Sequence, residues 1–114
     1  MMVKTLQDTT TLQNGVKMPW FGLGVFKVEE GPDLVNAVKT AIKHGYRSVD
    51  TAAIYENEEG VGKGIYKGLK EAGISREELF VTSKVWNSDL GYDSTIAAYE
   101  TSLKKLGLEY LDLY

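Results

Sequence analysis

The chain has 114 residues, 43% of them apolar and 25% charged, with a formal net charge of −3. That is the balance of one folded domain and leaves no electrostatic footprint for nucleic acid or an anionic membrane. No cysteine and a single histidine, His44, are present, so disulfides and thiolate metal sites are excluded and a metal centre is not expected.

The first fifteen residues lack the apolar core of a signal peptide, and no run reaches the roughly 18 apolar residues of a membrane span. A single cytoplasmic unit over residues 1–114 is therefore expected. In "TTTLQNGVKMP" two β-prone runs flank Asn14-Gly15, a dipeptide that tolerates the positive φ angles of a tight turn, which predicts an N-terminal β-hairpin. "WFGLGVF" reads as a short buried strand running into a loop. Gly31-Pro32 then opens a helix over about 32–44, with proline in the first turn, where its missing N–H costs nothing. Leu34, Val35, Val38, Ala41 and Ile42 make the apolar face of that helix, and Gly45 stands where a left-handed cap belongs.

The same rhythm then repeats. Strand "YRSVD" leads to a helix over about 58–72 with Val61, Ile65 and Leu69 on one face, followed by Gly73. A capping box from Ser75 to Glu78 precedes strand "LFVTSK". A helix over about 93–106 is expected to bury Ile96, Tyr99, Leu103 and Leu106, and strand "YLDLY" comes last. Alternating strands and helices with short connections imply parallel strands and right-handed crossovers, hence an α/β fold.

Two architectures share this order. A doubly wound Rossmann sheet needs a glycine-rich turn that enters its helix directly, whereas "GLGVFKVEEGP" offers Gly22 and Gly24 and then a long loop to Pro32. A (β/α)8 TIM-type barrel carries polar residues at the C-terminal ends of its strands, and Asp50 and Lys84 lie there. The barrel is preferred, with the first four strands present as a half barrel behind the N-terminal β-hairpin.

If the strands bearing Asp50 and Lys84 are neighbours, both side chains meet at one rim, and Tyr55 on the outgoing loop can lean over them. A phenol is by itself a weak acid at neutral pH, and an adjacent ammonium stabilises its anion. In this reading Asp50 holds Lys84 charged and oriented, Lys84 tunes Tyr55, and Tyr55 protonates a carbonyl oxygen. Taken singly, a strand-end aspartate, a Lys–Asp pair and a loop tyrosine are equally ordinary turn, surface and packing features, so placement alone leaves both readings open. Glu56, Glu58 and Glu59 read as a solvated first helical turn, and His44 as a helix-end residue with no catalytic part.

"GYRSVDTAAIYENEEGVG" resembles the aldo-keto reductase signature, which Gly45, Asp50, Thr51, Ala52, Glu58, Val61 and Gly62 all fit. The resemblance extends through the hairpin, "GLGVFK", "VTSKVWN" and "LGLEYLDLY". It implies that Asp50, Tyr55 and Lys84 are three of four catalytic residues, with tyrosine as proton donor. It further implies that Gly24, Val25, Phe26 and Asp50 lie beside the nicotinamide of NADPH, and that Trp86 and Asn87 line the pocket for a small aldehyde or ketone. The family's catalytic histidine and most of its phosphate-gripping residues belong to the second half of the barrel. Catalysis is therefore expected once a complementary half-barrel chain, or self-association, completes the fold. The alternative is a non-catalytic assembly module that pairs with another chain.

Overall fold

The structure, a computed structural model, describes residues 4–114. Strands β1 (Thr9–Thr11) and β2 (Lys17–Pro19) pair antiparallel, Thr9 opposite Pro19, and form the expected hairpin. Of the two turn residues Asn14 and Gly15, only Gly15 takes a positive φ, at 87°. Asn14 serves the turn differently, accepting the Val16 N–H on its side-chain oxygen at 3.1 Å.

Strands β3 (Leu23–Gly24), β4 (Ser48–Asp50) and β5 (Phe80–Thr82) form one parallel sheet in that order, with Gly24, Asp50 and Thr82 in register across it. Helices α1 (Pro32–Lys43) and α2 (Glu58–Ala72) make the crossovers, and α3 (Tyr92–Leu106) follows β5. The helices agree with the sequence reading to within a residue at their ends. All three sheet strands are shorter than expected, so Lys84 stands two residues beyond β5 rather than within it.

The core is built by Val25, Leu34, Val38, Ile42, Val49, Val61, Ile65, Leu79, Val81 and Leu106. Each such side chain, once buried, contributes about 1.5–3 kcal/mol of transfer free energy. Helix α2 lies so close to α1 that a side chain at either of two glycine positions would force its neighbours to shift. A Cβ at Gly64 would stand 2.5 Å from that of Val38, and one at Gly68 2.9 Å from that of Ile42.

Two expectations are corrected. The segment 110–114 is not a strand, since only Leu113 bridges to Thr82. The cause is Asp112, whose carboxylate accepts the Val81 N–H at 2.8 Å and so occupies the place of a strand carbonyl. The same carboxylate pairs with Arg76 at 2.9 Å, and the Arg76 guanidinium stacks 4.1 Å from the centre of the Tyr110 ring. On α3, Ile96 is 44% exposed and Tyr99 and Leu103 are half-buried, while Ser102 and Leu106 face inward. The helical period places Ser102 and Leu106 on one stripe, but the chain spends the buried position at 102 on a hydroxyl. Among the described residues no helix is long and apolar enough to cross a membrane.

Candidate active site

A parallel sheet presents all its C-terminal strand ends on one edge, and three loops leave it together here. Asp50 is the last residue of β4, Phe26 follows β3 by two residues, and Lys84 follows β5 by two. Tyr55 closes a short 3-10 turn, Ala53–Tyr55, directly after β4. The turn is tied across to the β5 loop by a hydrogen bond from the Ala53 N–H to the Lys84 carbonyl at 3.2 Å. Backbone geometry therefore brings Tyr55 and Lys84 together before their side chains contribute.

The Lys84 ammonium donates to the Asp50 carboxylate and to the Thr51 carbonyl, the latter at 2.9 Å, and lies over the Tyr55 ring 5.2 Å from its centroid. No hydrogen bond joins Lys84 to the Tyr55 hydroxyl, so the coupling between them acts through space. The Lys84 and Asp50 side chains are 46% and 50% exposed, an open mouth rather than a buried pair. The Phe26 ring packs on the Tyr55 ring with centroids 5.2 Å apart and planes at 47°, although 64% of Phe26 remains exposed. Phe26 thus joins the three polar residues at the rim. Gly24 is in register with Asp50, and a Cβ added there would meet nothing within 4 Å, so this side of the mouth is free of obstruction.

Val25 is different. Its side chain is core, and its N–H donates to the Asp50 carbonyl at 3.3 Å, so it can meet a ligand only through its backbone. Trp86 and Asn87 are both exposed, Asn87 opening a short 3-10 turn over Asn87–Asp89. Among the described residues no ring pair or hydrogen bond links either of them to Asp50, Tyr55 or Lys84.

The family model for "Aldo/keto reductase family" matches residues 21–114. This chain belongs to that family. It is 74% identical over 113 residues to an uncharacterized oxidoreductase, YtbE, of Bacillus subtilis (strain 168) and 66% identical over 113 residues to a glyoxal reductase of the same organism. Both matches take in 99% of this chain and 40% of the relative. A crystal structure of a Bombyx mori aldo-keto reductase in complex with NADP superposes with a TM-score of 0.86 at 42% identity, covering 94% of this chain and 36% of that one. The chain thus spans about two fifths of the length of the relatives it matches.

Beneath the rim lie two residues of this aldo-keto reductase chain whose part the sequence reading missed. Asn57 is wholly buried. Its amide donates to the carbonyls of Val25 and Val28 at 3.0 and 2.9 Å, and its oxygen accepts from the Thr51 hydroxyl at 3.1 Å. Glu58, expected in solvent, is 2% exposed and accepts hydrogen bonds from Ser83 at 2.6 Å and Ser102 at 3.0 Å. The match of Glu58 to the family signature was the one signal that set it apart from Glu56 and Glu59. Its charge reaches as far as Tyr114. Burial first, and the Glu58 carboxylate second, push the Tyr114 phenol above its ordinary value of 10.0, with Ser102 pulling the other way and Asp89 adding to the rise. The Ser102 hydroxyl is engaged by Glu58, and among the described residues the buried Tyr114 hydroxyl has no hydrogen-bond partner.

Proposed function

We propose that this chain carries the proton-transfer apparatus of an NADPH-dependent carbonyl reductase that converts an aldehyde or ketone to an alcohol. The observation that carries this reading is the meeting of Asp50, Lys84 and Tyr55 at one strand-end edge, with the Lys84 ammonium over the Tyr55 ring. When bound, NADPH supplies the hydride to the carbonyl carbon. Tyr55 gives its O–H proton to the carbonyl oxygen, and the phenolate left behind is stabilised by Lys84 until solvent returns the proton. A unit charge about 5 Å away is worth about 1 kcal/mol in water and about 3 kcal/mol at an effective dielectric near 20. Lys84 therefore gains leverage as bound molecules displace water from the mouth. Asp50 offsets part of that field but fixes the ammonium in place.

The residues present suit the nicotinamide end of the cofactor. Phe26 offers an exposed aromatic face beside Tyr55, Gly24 leaves the approach open, and Asp50 supplies a polar edge. Trp86 and Asn87 are proposed to meet substrate rather than cofactor. A small reactive aldehyde is favoured, since one relative is a glyoxal reductase. We further propose that the parallel sheet is the opening half of a (β/α)8 barrel, completed by further strands from a complementary half-barrel chain or a second copy. Leu113, 45% exposed beyond β5, supports an edge that other strands would cover.

The test is aldehyde-dependent oxidation of NADPH, followed by absorbance, with this chain alone and with the complementary half. Tyr55→Phe keeps the ring against Phe26 and removes only the acid, so the rate should fall by about 10²–10⁴. Unchanged turnover in that variant refutes the proton-donor role.

A further inference from the structure

We infer that Asn57 and Glu58 are positioning residues that set the rim from beneath, Asn57 on the Phe26 side and Glu58 on the Lys84 side. The inference takes its functional meaning from the reductase reading, while its structural content stands without it.

Asn57 occupies the position before the first turn of α2, where an asparagine ordinarily accepts an N–H from its own helix. No such bond forms. Both amide hydrogens go instead to the carbonyls of Val25 and Val28, about thirty residues earlier. The Val28 N–H also donates to the Val25 carbonyl at 3.1 Å, so the turn on which Phe26 rides is closed from two sides. The Thr51 hydroxyl fixes which way the amide faces. Asn57 thereby joins the Phe26 loop to the stretch that bears Tyr55 two residues earlier.

Glu58 does the same on the other flank. Among the described residues no cation pairs with its buried carboxylate, and two serine hydroxyls take that place. One of them belongs to Ser83, the neighbour of Lys84. Burying a carboxylate is expensive, and an apolar residue of similar size would pack there at lower cost. What the carboxylate provides is a fixed direction for the Ser83–Lys84 backbone. Displacement of a reacting group by about 1 Å can cost about 10² in rate, which is the scale on which such anchors act.

The two arms make separable predictions for amide hydrogen exchange measured by NMR on this chain. Asn57→Asp keeps the side-chain shape but replaces the one nitrogen that donates both hydrogen bonds by an oxygen facing the Val25 and Val28 carbonyls. Exchange of the Val28 amide should rise by about tenfold or more, while that of the Ser83 amide, which donates to the Leu113 carbonyl, changes less than about twofold. Glu58→Gln should reverse the pattern. Should either variant fail to fold, Thr51→Val and Ser83→Ala weaken the same two anchors and should shift the same amides in the same directions by less. Exchange that rises uniformly along the chain in step with lost global stability, or a Val28 amide indifferent to Asn57→Asp, overturns the inference. Because exchange needs no turnover, a parent protein that fails to oxidise NADPH counts against the reductase reading alone.

Discussion

Lys84 holds its ammonium 5.2 Å from the centre of the Tyr55 ring, tethered by the Asp50 carboxylate and the Thr51 carbonyl. Both members of the ion pair are about half exposed, and exposed pairs are worth about 0.2–1 kcal/mol to folding. Lys84→Met should therefore leave urea-unfolding stability within about 1 kcal/mol of the parent while lowering aldehyde reduction by about 10²–10⁴. A loss of stability large enough to account for the loss of rate would recast the pair as structural.

The α1–α2 contact gives a sharper stability prediction. Alanine in place of Gly64 gains about 1 kcal/mol of helix propensity, yet its Cβ would stand 2.5 Å from that of Val38. Overpacking of this kind costs about 1–3 kcal/mol, so Gly64→Ala should be neutral to destabilising by about 2 kcal/mol in chemical denaturation. Clear stabilisation would mean that the helices separate freely.

Asp112 serves two partners, the Val81 N–H and Arg76. Asp112→Ala leaves the Val81 N–H unpaired and should cost about 1–3 kcal/mol. Asp112→Asn retains an acceptor oxygen and should cost less. Equal losses in thermal or urea unfolding would show that the charge, not the backbone bond, holds residues 110–114 in place.

Tyr114 predicts a pH dependence. Its folded-state pKa lies above the ordinary 10.0, so the folded chain keeps a proton that the unfolded chain releases. The resulting contribution is fully present below about pH 10 and is lost as pH climbs through the raised folded value. Tyr114→Phe should flatten the decline of stability above pH 10. It should also be neutral or slightly stabilising at neutral pH, because it removes a buried hydroxyl that has no partner among the described residues. An identical slope in both proteins contradicts this.

Much of this was legible in the chain itself. The helices follow from the spacing of residues such as Leu34, Val38 and Ile42, because burial of one face dominates their energetics. The meeting of Asp50, Tyr55 and Lys84 at one edge was legible because strand ends and the signature coincide. The fourth strand was misread because "YLDLY" has strand composition, and only tertiary contact reveals that Asp112 folds back on Val81. Asn57 and Glu58 were hidden for a related reason. Each belongs to a residue type that favours helix beginnings, and nothing local indicates that their partners lie 25 to 44 residues away.

Those separations bear on the order of events during folding. The bonds from Asn57 reach back 29 and 32 residues, and those from Glu58 reach forward 25 and 44. Contacts so distant along the chain form only after the entropy of closing the intervening loops has been met, and they tend to be late. The rim that holds Tyr55 against Lys84 and Phe26 is therefore a late product of folding, complete only when α3 has docked. A partly folded chain would have its helices before Tyr55, Lys84 and Phe26 meet at the rim.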